Sequence, residues 1–175
     1  MIITLGGQPG SGKTSVAKEI SSKYGFVIIS AGEQFRKLAQ EKGMSLEEFG
    51  ALAEKDPSID LAIDQRQKEL SVKYPDTLVE GRLAGRTINA DLKIWLKTPL
   101  EIRSERIAKR ENISYDQAYD ETRVREICEL TRYRNYYEID LTDLTHYDLI
   151  IDTKKWDAKG VTKIIAKAIE ELKSK

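Results

Sequence analysis

The sequence predicts an α/β fold, a five-stranded parallel sheet flanked by helices. Three observations predict it. Short apolar runs over residues 2–5, 26–29, 77–79, 93–96 and 148–151 read as strands buried on both faces. Helical patterns separate these runs, the alternation that builds parallel sheets. The first run leads through a glycine-rich loop directly into a helical pattern at Ser15-Val16-Ala17-Lys18-Glu19-Ile20.

That loop is Gly7-Gln8-Pro9-Gly10-Ser11-Gly12-Lys13-Thr14, an instance of G-x-x-x-x-G-K-[ST] in the strand–loop–helix context the pattern requires. Glycines let successive backbone N–H groups converge on phosphate oxygens, and the helix N-terminus adds its dipole. Lys13 is expected on the β- and γ-phosphates of a donor nucleotide, the Thr14 hydroxyl on Mg²⁺, and Ser15 beside the α-phosphate. The fold is therefore that of the P-loop NTPases.

At 175 residues the chain is expected to be one domain. Lys and Arg number 29, as do Asp and Glu, so the formal net charge is zero and no basic field favours nucleic acid. Aromatic residues make up 7% of the chain, and no basic, aromatic-interleaved patch is visible. The single cysteine, Cys128, excludes an internal disulfide and is expected to be buried on a helix. The single histidine, His146, argues against a His-dependent triad or a metal cluster. The first strand begins at residue 2 and no apolar stretch approaches membrane-spanning length, so a cytoplasmic protein without a membrane or nucleic-acid partner is expected.

Two strand-to-strand intervals are long. Between the second and third strands the pattern predicts helices over 33–42, 45–54 and 58–72, with Ser45 and Glu48 spaced as a capping box. Between the fourth and fifth, a helical insertion covers about 99–137. Two such insertions suggest two arms that close over two ligands.

Candidate site residues sit at the strand ends. Glu80 leaves the third strand and is placed to hold Mg²⁺ through its water shell, and Gly81-Arg82 follows it. The second strand runs into Ser30-Ala31-Gly32-Glu33-Gln34-Phe35-Arg36, putting Arg36 one turn into a helix at the ligand-binding edge of the sheet. Arg36 and Arg82 could thus meet on one phosphate. In the second insertion Arg103, Arg106 and Arg110 share one helix face, and Arg125, Glu129 and Arg132 share another. Val124, Ile127, Cys128 and Thr131 form a separate, mostly apolar stripe expected to pack. Arg125 and Arg132 are expected to face phosphate.

With these residues in view, the chain resembles the nucleoside monophosphate kinases, and among them the archaeal-type cytidylate kinases, over essentially its whole length. The resemblance rests on the phosphate loop, Ser30–Arg36, Asp56-Pro57-x-Ile59-Asp60, Glu80-Gly81-Arg82-Leu83-Ala84-Gly85, Trp95-Leu96-Lys97-x-Pro99-Leu100-Glu101-x-Arg103 and Lys155-Trp156. It implies a core (1–30, 76–110, 138–175), an NMP-binding arm (31–75) and a lid (111–137). It implies ATP on Gly7 to Ser15 with Arg103 and Trp156, and the acceptor on Ser30, Gly32, Phe35, Arg36, Asp60, Gly81 and Arg82. Lys13, Arg82, Arg125 and Arg132 become the catalytic set, and a monomer acting on ATP and CMP or dCMP is expected. Bacterial cytidylate kinases carry a cytosine-reading aspartate directly after the Gly–Arg; Leu83 stands there instead. Asp60, Asp64 and Gln65, on one predicted helix, are candidate replacements. Against this reading stand a kinase for AMP, UMP, dTMP or a small hydroxy acid, and a nucleotide-dependent switch. The switch lacks an N-K-x-D guanine reader, and its only D-x-x-G, Asp157-Ala158-Lys159-Gly160, opens the last helix.

Overall fold

The computed structural model describes residues 1–174, apart from the side chains of Leu46 and Glu47. Five strands, β1 (Ile2–Gly7), β2 (Val27–Ser30), β3 (Thr77–Glu80), β4 (Leu92–Lys97) and β5 (Leu149–Asp152), form one sheet in the order β2-β3-β1-β4-β5. Every pairing is parallel, as the apolar runs and intervening helices require. The carboxyl ends of β1, β2 and β3 therefore lie side by side. Leu5 and Ser30 both register with Glu80, which brings the phosphate loop, the Ser30 segment and Glu80 to one edge.

Helices α1 (Lys13–Tyr24) and α8 (Ala158–Lys173) cover one face of the sheet. Val16, Ile20, Val161 and Ile165 there meet Ile3, Leu5, Ile94 and Leu96 in the main core. Burying such side chains contributes roughly 1.5–3 kcal/mol each relative to exposure. Helix α5 (Ala84–Thr87), a single turn that the sequence pattern does not reveal, covers the other face together with Ile29, Val79 and Ile88.

The first insertion is α2 (Ala31–Glu41), α3 (Leu46–Ala53) and α4 (Ser58–Ser71), with its own apolar cluster of Ala39, Phe49, Ala53, Ile59 and Ile63. The capping box at Ser45 and Glu48 is present in both directions. The second insertion is α6 (Leu100–Glu111) and α7 (Tyr115–Tyr137), joined at Asn112 in the left-handed conformation, φ 56°. The Asp157 carboxylate accepts from the Gly160 N–H at 2.7 Å, so the D-x-x-G segment is an N-cap for α8. Among the described residues no helix is long and apolar enough to cross a membrane.

The face that α7 buries differs from the expected one. Val124 and Ile127 are more than half exposed, and Cys128 and Thr131 are exposed as well, so the apolar stripe does not pack and the cysteine is not a core residue. Ala118, Thr122, Glu129 and Tyr133 are buried instead. The helix lies over a polar cleft, where ion pairs rather than apolar contacts decide which side turns inward.

Candidate active site

The phosphate loop passes from β1 into α1 with Gly10 at φ 76°. A Cβ at Gly10 would stand 2.7 Å from the carbonyl oxygen of Arg103, so glycine is required both by conformation and by the close approach of α6. Lys13 folds back over the loop, its Nζ donating to the carbonyls of Gly7 at 2.7 Å and Gln8 at 2.9 Å. Withdrawal from water, reinforced by the Arg82 charge, pulls the Lys13 ammonium down to about 7. The Thr14 hydroxyl donates to Glu80 Oε1 at 2.8 Å, so the two residues expected at a metal ion are neighbours across β1 and β3.

Arg103 departs from expectation. It is 2% exposed and lies behind the loop, donating to Thr98 O at 2.9 Å and Pro9 O at 3.3 Å and pairing with Glu126 at 2.9 Å. It can position the loop but does not reach the cleft. Glu126 also accepts from the Gln8 amide, so the lid helix grips the loop from behind. One turn later Arg106 lines the cleft and donates to Thr153 Oγ1 and Thr153 O, both at 2.9 Å. Trp156, expected at the donor base, is half exposed, lies against Gly160 and does not line the cleft. Thr153 is the residue of that segment that meets the loop, donating to Ser11 O at 3.2 Å.

The remaining candidates meet around a single cleft of ≈ 1410 Å³. Small-molecule pockets are typically about 300–1,000 Å³, so there is room for two ligands. From the phosphate loop it is lined by Pro9, Gly10, Gly12, Lys13, Thr14 and Ser15, but not by Gly7, Gln8 or Ser11. Ser30, Gly32, Phe35 and Arg36 line it from the β2–α2 junction, Asp60 from α4, and Gly81 and Arg82 from the end of β3. Arg125 and Arg132 enter from α7.

Most of these cations already hold carboxylates. Arg82 pairs with Glu129, and Arg125 donates to the same carboxylate at 3.0 Å. Withdrawal from water, then Arg125, works against the Arg82 charge, but a guanidinium stays protonated at any ordinary pH. Arg132 Nε pairs with Asp60 at 3.1 Å, and the Tyr137 hydroxyl donates to Pro57 O at 2.7 Å, so α7 touches α4 and its N-terminal flank directly. Gln65 turns away from the cleft to donate to Glu69 at 2.9 Å. Asp64 and Gln67 line it instead, Gln67 bridging the Ile29 and Glu80 carbonyls at 3.2 and 3.0 Å. Leu83 is buried at the cleft wall. Tyr133 and Gln67 were not singled out by sequence reasoning. The Tyr133–Tyr137 spacing beside Arg132 was the one available signal, since aromatic side chains four apart share a helix face.

Comparison with known proteins fits this arrangement. A profile described as "Cytidylate kinase-like family" matches residues 2–155. A cytidylate kinase of Methanocella arvoryzae is 77% identical over 173 residues, covering 99% of each chain. One from Methanothrix thermoacetophila is 50% identical, covering 99% of this chain and 100% of its own. Among solved structures, an uncharacterized protein from Eubacterium ventriosum superposes with TM-score 0.73 at 20% identity, over 97% of this chain and 98% of that one. The shikimate kinase of Bacteroides thetaiotaomicron gives TM-score 0.63 at 15% identity, over 97% and 98%. These two share the fold. The profile and the archaeal relatives carry the narrower conclusion that the chain belongs to the cytidylate kinase-like family.

Proposed function

We propose that this protein is a cytidylate kinase that transfers the γ-phosphoryl group of ATP to CMP or dCMP, giving ADP and CDP or dCDP. The observation that carries the reading is one cleft with a phosphate loop on one side and Arg36 and Arg82 on the other, in a chain of this family. An alcohol acceptor would need a base near the loop and fewer arginines opposite it. A phosphate acceptor needs the arginines and no base.

The attacking atom is an oxygen of the acceptor monophosphate, largely ionised at neutral pH because its second pKa is about 6. The obstacle is the approach of two polyanions, so catalysis is positioning and charge stabilisation. Lys13 leaves its carbonyl partners for the β/γ oxygens while the loop N–H groups hold the same phosphates. Arg36 and Arg82 orient the acceptor phosphate, and Arg125 and Arg132 stabilise charge on the group in transit. Arg103 and Glu126 keep the loop in shape. Closure of the lid excludes water, which would otherwise accept the phosphoryl group.

The neighbouring Thr14 hydroxyl and Glu80 carboxylate suit Mg²⁺, which takes few protein ligands and otherwise binds phosphate and water. When bound there, the ion would supply positive charge against the negative charge developing on the phosphates. The cleft is built within a single chain, which supports action as a monomer. The balanced charge supports small nucleotides rather than nucleic acid as the partners.

The test is ADP release from ATP-Mg²⁺ with each nucleoside monophosphate in turn. Turnover dependent on CMP or dCMP is expected. No acceptor-dependent turnover overturns the kinase reading, and a strong preference for AMP overturns the choice of acceptor.

A further inference from the structure

The acceptor half of the cleft holds a carboxyl group that the phosphate machinery does not use. Asp64, on α4, is 9% exposed and lines the cleft, yet among the described residues it accepts no hydrogen bond and has no cation within ion-pair distance. A carboxyl that faces the cleft without a protein partner is free to accept from a ligand. Its surroundings fit a flat heteroaromatic ring. Phe35, Ala53 and Ile63 give apolar walls, and Leu83 is apolar where bacterial relatives place their reading aspartate. Asp60 lies one helical turn before Asp64 on α4.

Building on the assignment of a nucleoside monophosphate as acceptor, we propose that Asp64, assisted by Asp60, selects the base by accepting hydrogen bonds from the 4-amino group of cytosine. The amino group offers two N–H donors to a pair of carboxyl groups that present mainly acceptors. Uracil and thymine place a carbonyl oxygen there, which would meet acceptor with acceptor and leave buried groups unpaired. Adenine also carries an amino group, so the walls must exclude it by size. Burial, then the Asp60 charge, raises the Asp64 carboxyl to about 7, opposed by Lys68. Asp64 is a specificity residue, separate from the groups that hold phosphate.

The experiment compares kcat/KM for CMP and UMP at saturating ATP in the wild type and in Asp64→Asn. The amide keeps the shape and adds N–H donors that suit the uracil O4. The CMP:UMP preference is expected to fall about tenfold or more, through the acceptor KM, with little change in the ATP KM. An unchanged preference, or equal loss with both nucleotides, overturns the proposal by making Asp64 structural. A second arm uses the wild type with the 2-pyrimidinone ribonucleoside monophosphate, which lacks the amino group and does not depend on a variant folding. Its KM is expected about tenfold or more above that of CMP, and equality overturns the proposal. Failure of the wild type to turn over CMP at all would instead count against the acceptor assignment itself.

Discussion

Arg132 of α7 and Asp60 of α4 form an ion pair at 3.1 Å across the cleft that both line. Both side chains are mostly buried, so the pair is shielded from solvent and cannot be dismissed as a weak surface contact. The guanidinium can serve as strap and as phosphate ligand in turn. Arg132→Ala is expected to lower kcat about 10²-fold or more, the range seen for lost transition-state donors, with a smaller change in either KM. Steady-state kinetics at saturating ATP and CMP decide it; an unchanged kcat would leave Arg132 a strap only.

The Lys13 ammonium is pulled down to about 7 because it is withdrawn from water and lies near Arg82. Phosphates supply negative charge and must raise it. Binding then takes up a proton wherever the free enzyme has lost it, above pH 7, and not below. ATP affinity is expected to be flat below about pH 7 and to weaken as pH rises beyond it. Calorimetry at pH 8 in buffers of different ionisation enthalpy reads the uptake directly. Lys13→Ala should abolish both the uptake and turnover while leaving the thermal melt nearly unchanged.

Arg36 is exposed on the second turn of α2 and lines the cleft. Arg36→Ala is expected to raise the acceptor KM about tenfold or more with ATP binding intact. An unchanged acceptor KM would remove Arg36 from the two-arginine acceptor grip.

Gly85 has a packing role. A Cβ there would stand 2.3 Å from the Tyr147 ring, which also lies 5.1 Å from the Trp95 ring, centroid to centroid. Gly85→Ala is expected to cost about 1–3 kcal/mol as an overpacked site. Denaturant melts of Gly85→Ala with and without Tyr147→Leu should show a non-additive cycle, since the second change removes the clashing atoms.

The sheet was legible because buried parallel strands are short, apolar and bounded by helices, and each predicted run lies within two residues of an observed strand. That the phosphate loop, Glu80, Arg36 and Arg82 meet at one cleft was legible because strand ends fix where side chains arrive. The arginines of α6 were harder. Arg103 and Arg106 share a face in the sequence, but their depth against the loop depends on how close α6 comes to Gly10, which periodicity does not encode. Helix α7 misled for a related reason. Its inward side carries Glu129 and Tyr133 and leaves Val124 and Cys128 exposed at the cleft, an inversion of the usual pattern where a helix covers a polar site. Trp156 was placed by resemblance alone, and the turn of Thr153–Lys155 carries Thr153 inward while leaving the indole against α8.

Glu129, shared by Arg82 and Arg125, gives these two arginines a resident anion. Substrate entry is then an exchange, a tethered carboxylate traded for a phosphate. A tethered group acts at high effective concentration, so small free anions such as sulfate or inorganic phosphate compete poorly against it. A nucleotide, with its base and sugar held elsewhere in the cleft, has the additional grip needed to displace it. The site can therefore ignore the abundant anions around it and still open to the one it serves.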